Sequence, residues 1–68
     1  MGLYYTPEEI ARIMRVSSES VRRKLRLGKI EGVRFGRKWR IARKEALRLL
    51  GEEALEALDR EIETGSTL

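Results

Sequence analysis

The chain has 68 residues, with 15 Lys and Arg against 11 Asp and Glu for a net charge of +4, and it contains neither Cys nor His. A chain this short buries only about 60% of the surface its unfolded form exposes, so a single domain with a small core is expected. Without Cys or His there is no disulfide, thiolate nucleophile, Cys-based zinc site or common hydrolytic dyad, and the acids do not cluster where a pocket would form; neither enzyme activity nor a cofactor is expected.

No run of apolar residues is long enough to span a bilayer, and the start lacks the pattern of a signal peptide, so a cytoplasmic protein without membrane contact is expected. Asn and Gln are also absent while Arg and Glu abound, a compositional lean of thermophile proteins. Charge is segregated along the chain: residues 12–48 hold fourteen Lys/Arg against three acids, a net of +11, whereas residues 49–68 hold one Arg against six acids, a net of −5. A positive block of that size is the footprint of a polyanionic ligand, and the acidic end would be repelled by the same ligand.

In YTPEEIARIMRV, Thr6 can cap a helix that begins at Pro7, and Glu9, three residues past the cap, can close a capping box. Ile10, Ala11, Ile13 and Met14 supply its apolar face, giving a helix of about nine residues. In VSSESVRRKLRLGKI, Ser17 caps a second helix, Val21 and Leu25 mark its buried face, and Gly28 ends it in the left-handed conformation. Two short helices with so tight a link, the second one basic, suggest a helix-turn-helix whose second helix, about 17–27, enters a major groove. The plainer alternative is a helical hairpin with a solvated basic face. Opposite Val21 and Leu25 at helical spacing stand Glu19, Arg23 and Arg26, with Arg22 on the flank. Ser18 shares with Ser17 and Ser20 the first turn, where free backbone N–H groups attract phosphate.

VRFGRKWRI, residues 33–41, alternates apolar and basic residues around Gly36, as a half-buried hairpin does. A two-residue Gly36-Arg37 loop would pair Phe35 with Lys38 and put Trp39 on the other face. A three-residue loop would pair Phe35 with Trp39 and gather Val33, Phe35, Trp39 and Ile41 on one face, and this register is the expected one, although glycine then stands first in the loop rather than last. Arg34, Arg37, Lys38 and Arg40 would lie outside. Beyond Ala42 a helical pattern runs through Leu47, Leu50, Ala54, Leu55, Leu58 and Ile62, as one helix or as two broken at Gly51. Leu55, Leu58 and Ile62 make the last stretch more apolar than an unpaired surface helix should be. It either contacts a partner, a second copy or a larger protein, or packs back over its own core. Residues 65–68 are expected to be a disordered tail.

YTPEEIARIMRVSSESVRRKLRLGKI followed by VRFGRKWRIARKEAL resembles the excisionase-like DNA-binding family, related to the DNA-binding heads of MerR-type regulators, over roughly residues 4–50. The resemblance implies a mainly α fold with a small β-hairpin, a winged helix-turn-helix over 1–50, in which the second helix reads the major groove, the wing at about 33–41 touches phosphates or the neighbouring minor groove, and a third helix packs behind. It also implies a prokaryotic or phage-encoded protein. Two positions depart from the pattern: such sequences often carry an aromatic near Lys24 and a proline where Ala42 stands. Residues 51–64 have no counterpart in it and read as an acidic amphipathic helix for oligomerisation or partner contact.

With no Asn or Gln to contact adenine, direct readout must rest on Arg22 or Arg23 to guanine, on hydroxyls such as Ser18, and on Glu19 to cytosine, while Arg26, Arg34 and Arg40 bind phosphate and Arg37 and Lys38 at the wing tip reach a minor groove. The expected function is sequence-specific binding of double-stranded DNA, either as a recombination accessory factor that bends its site or as a transcriptional regulator. So small a module should act as a homodimer, as a head-to-tail array, or with a larger protein docked through Leu55, Leu58 and Ile62. An adaptor whose basic face docks an acidic protein is the alternative. With Phe35 and Trp39 inside, no aromatic platform remains for single-stranded bases, which argues against RNA.

Overall fold

A computed structural model describes residues 3–64; the expected disorder of 65–68 lies outside them. The order is β1 (Tyr4–Tyr5), α1 (Pro7–Met14), α2 (Ser18–Arg26), β2 (Val33–Phe35), β3 (Lys38–Ala42), α3 (Arg43–Leu50) and α4 (Glu52–Glu63). The three strands form an antiparallel sheet in the order β1-β3-β2, and with the four helices they make a winged helix-turn-helix. No helix among the described residues is long and apolar enough to cross a membrane.

The local signals for α1 and α2 act as their chemistry dictates. Thr6 Oγ1 accepts the Glu9 N–H at 3.0 Å and Glu9 Oε1 accepts the Thr6 N–H at 2.9 Å, so the capping box is closed on both sides. Ser17 Oγ accepts the Ser20 N–H at 3.1 Å and starts α2. Both helices end in the same way. After α2, Gly28 takes φ +78° while the Lys29 N–H bonds to the Lys24 carbonyl at 2.8 Å and the Gly28 N–H to the Leu25 carbonyl at 3.1 Å. After α1 the equivalent bonds run from Val16 to Ala11 at 3.0 Å and from Arg15 to Arg12 at 3.2 Å, but the left-handed residue is Arg15, at φ 61° and ψ 41°.

The hairpin overturns the expected register. Val33 pairs with Arg40, Arg34 with Trp39 and Phe35 with Lys38, which leaves the two-residue loop Gly36-Arg37. Gly36 has φ +62° and Arg37 does not share the positive sign, the pattern of a type II′ turn, which wants glycine at its first central position and matches the twist of the strands. The three-residue alternative would have gathered four apolar side chains on one face, but its loop chemistry placed glycine wrongly, and turn chemistry decides. Alternation then puts Trp39 and Ile41 on the inner face with Arg34, and Val33 and Phe35 on the outer face with Lys38 and Arg40. Ile41 is fully buried and Trp39 packs against the core, whereas Val33 is 44% and Phe35 60% exposed.

Gly51 breaks the C-terminal pattern in two: at φ 83° and ψ 168° it occupies a region essentially closed to other residues and turns the chain between α3 and α4. α4 packs back on α1 and α3. Of the two readings of the last apolar stripe, the structure takes the second for Leu55 and Leu58, which are buried in this chain's own core, while Ile62 is left 38% exposed. The core they complete consists of Tyr5, Ile10, Ala11, Val21, Leu25, Ile30, Ile41, Ala46, Leu55 and Leu58.

Two polar clamps close the seams around it. The Tyr5 hydroxyl donates to Asp59 Oδ1 at 2.6 Å, and Arg43 donates to Asp59 Oδ2 at 2.8 Å and to the Tyr5 oxygen, so β1, the start of α3 and the middle of α4 meet in one network. Burial, followed by the bond to Asp59, pushes the Tyr5 phenol up to about 12. In the second clamp, Glu45 on α3 accepts from Arg48 Nε at 2.8 Å and from the backbone N–H of Glu31 at 3.0 Å, which ties α3 to the segment entering the hairpin.

Glu45 and Arg15 each carry a stability prediction. The bond from Arg48 outweighs burial and, with the Glu31 N–H, holds the Glu45 carboxyl at about 2 against its ordinary 4.5. A carboxyl depressed by folding stabilises fully above its unfolded value and loses that contribution as pH falls. Urea midpoints should therefore fall between pH 4.5 and 2, and Glu45→Gln should flatten that fall while costing about 1–3 kcal/mol at pH 7. At Arg15 a side chain stands where the left-handed conformation favours glycine, so Arg15→Gly should stabilise by about 0.5–1 kcal/mol, read as a melting temperature raised by several degrees, and Arg15→Ala should not.

Candidate nucleic-acid interface

Because Val21 and Leu25 are held in the core, α2 turns Glu19, Arg23 and Arg26 outward, with Arg22 half-buried on its flank. All four were expected on this side of the helix, but their electrostatic situations differ. Arg26 donates to Glu19 Oε2 at 2.7 Å. Arg22 is paired with Glu8 in the first turn of α1, stands 4.0 Å from Glu19 and donates to Ser18 Oγ at 3.2 Å. Ser18 thus serves to orient Arg22. Among the described residues Arg23 has no ion-pair or hydrogen-bond partner, and it lies exposed at the middle of the outward face. Leu27, 62% exposed, extends this face at its C-terminal end.

The wing brings up the second group of cations. Its turn carries Arg37, with Lys38 beside it, and both are exposed. Arg34, expected on the outside of the hairpin, instead shares the face of Trp39, with its guanidinium carbon 5.6 Å from the ring centroid and its Nε donating to the Gly36 carbonyl at 2.9 Å. That bond ties the guanidinium to the turn, and the ring stabilises the cation. Arg40 is half-buried and donates to the Trp39 carbonyl at 2.8 Å.

Between the wing and the helices lies a cleft of about 340 Å³ lined by Thr6, Pro7, Glu8, Arg22, Arg37, Lys38, Trp39 and Arg40. It joins the α2 cations to the wing cations, so the nine residues singled out in the sequence fall into two adjoining patches. Two residues that matter here escaped that reading. Glu8 was unremarkable as a first-turn acid, and only tertiary packing shows that it faces Arg22. Phe35 was assigned to the core, although glycine at the first loop position was the signal that it lay outside. The arrangement offers guanidinium groups to phosphates and base edges, and among the described residues no group of three acidic, His or Cys side chains could hold a metal ion.

Comparison with known proteins agrees with this geometry in its family level. Searches among curated proteins and among solved structures find no match. A family described as a helix-turn-helix domain matches residues 4–53, from β1 to the first turn of α4. With α1, the Arg15 turn, α2 and the wing all inside the matched span, the chain belongs to the helix-turn-helix domain family.

Proposed function

We propose that this protein binds double-stranded DNA sequence-specifically, with α2 in the major groove and the wing on phosphates or in the adjoining minor groove. The observation that carries the reading is Arg23: a guanidinium with no partner among the described residues, at the centre of the outward face of the second helix of a helix-turn-helix. A free guanidinium can form the bidentate contact to guanine, whereas Arg22 and Arg26, already matched with carboxylates, suit phosphates that displace Glu8 and Glu19. The segregated charge supports the same ligand, since the basic stretch from 12 to 48 contains α2 and the wing. In the cell this activity serves recombination, as an accessory factor, or transcription, as a regulator. Because Leu55 and Leu58 are occupied, pairing of two copies on DNA would have to use other surfaces.

Selection of duplexes from a random library tests the reading, with binding of an enriched duplex then measured against salt. Log affinity should fall with log salt by a slope near −0.9 per phosphate contacted, so about six contacts give a slope near −5. A flat plot would point to the alternative, an adaptor for an acidic protein. Arg23→Ala should cost about 1–3 kcal/mol on the enriched duplex and relax preference at one position, whereas an equal loss on every sequence would assign Arg23 to phosphate.

A further inference from the structure

β2 places no side chain in the core. Phe35 is its last residue, stands next to the two-residue turn, and is 60% exposed on the face away from Trp39. A Phe that can reach no core is costly to leave in water, yet its position is firmly built. The backbone is paired to Lys38, the turn is fixed by Gly36 and by the bond from Arg34 to the Gly36 carbonyl, and the strand behind it is anchored through Trp39 and Ile41. Lys38, its cross-strand partner, and Arg40 share its face, and Arg37 stands beside it in the turn. So strongly cationic a collar disfavours an ordinary apolar protein partner and suits a ligand that is polyanionic outside and apolar within. Duplex DNA is such a ligand: its phosphates line the groove and its stacked bases form the interior.

We infer that Phe35 is a wedge which the wing presses into the minor groove, where it partly unstacks one base step and kinks the duplex while the surrounding cations hold the flanking phosphates. This rests on the DNA-binding reading and deepens it. Proteins that insert apolar wedges into the minor groove bend DNA by roughly 20–90°, and pyrimidine–purine steps yield most easily. Sequence preference at the wing would then come from the deformability of a step rather than from hydrogen bonds to its bases, which suits a chain without Asn or Gln.

The test uses a duplex enriched by the wild-type protein, labelled at both ends for energy transfer, and the same duplex with 2-aminopurine placed step by step under the wing. Wild type should shorten the end-to-end distance and brighten 2-aminopurine at one step. Phe35→Ala should melt at the wild-type temperature, abolish both signals and weaken binding by roughly 3- to 10-fold, while Phe35→Leu, still an apolar wedge, should restore most of the bend. Equal bending by wild type and Phe35→Ala would overturn the inference and leave DNA binding standing. So would a loss confined to a single-stranded oligonucleotide, which would make Phe35 a stacking surface, or a change in oligomeric state with bending intact, which would make it a contact between proteins. If wild type enriches no duplex, the DNA reading fails and this inference fails with it.

Discussion

The smallness of the core governs the whole molecule. Among the described residues the core cluster holds ten side chains, and β1, α1, α2, the segment after α2, β3, α3 and α4 each contribute only one or two of them. No element can be removed without opening the centre, and no surplus exists to bury the hairpin's outer strand. β2 is therefore held by backbone pairing and by Arg34 against the Trp39 ring, and its apolar side chains face water. Where hydrophobic burial runs out, charged clamps continue the closure. Asp59 draws Tyr5 and Arg43 together across three elements, and Glu45 fixes α3 to the entrance of the hairpin. Both carboxylates lie where removal of one partner would leave a shielded charge without compensation, a costly situation in so small a protein.

Local chemistry was legible in the sequence and packing was not. The capping box at Thr6 and Glu9, the Ser17 cap and the left-handed Gly28 are interactions within a few residues, so the sequence spells them out directly. The outward face of α2 was equally readable, because fixing Val21 and Leu25 inside fixes Arg23 outside by helical periodicity. The hairpin register is harder to read: a one-residue slip exchanges the two faces, and the pattern that would bury four apolar residues competes with the turn preference of Gly36, which prevails. The fate of Leu55 and Leu58 was hidden for another reason. An apolar stripe states that something must cover it but not what, and only the turn at Gly51 returns it to its own chain. β1 was missed because two residues carry no periodicity.

The carboxylates at the interface give it an internal order. Glu8 and Glu19 hold Arg22 and Arg26 in position before any ligand arrives, so their flexible side chains lose less freedom on binding. Any anion that took the place of the same carboxylates would have to displace them, and that cost would moderate its affinity. Arg23 bears no such burden. A surface built in this way restrains two of its outward cations and leaves the one between them uncommitted among the described residues.

α4 has a long-range consequence apart from its two buried leucines. It carries Glu52, Glu53, Glu56, Asp59, Glu61 and Glu63, and it lies on α1 and α3 rather than on the wing. The molecule is thus an electric dipole, acidic along one flank and basic where α2 and the wing project. Over distances of the order of a Debye length, about 8 Å at physiological ionic strength, such a dipole feels a torque in the field of any polyanion. A molecule arriving with the wrong side forward is turned rather than merely attracted, and more of its encounters begin in the orientation from which α2 and the wing can engage.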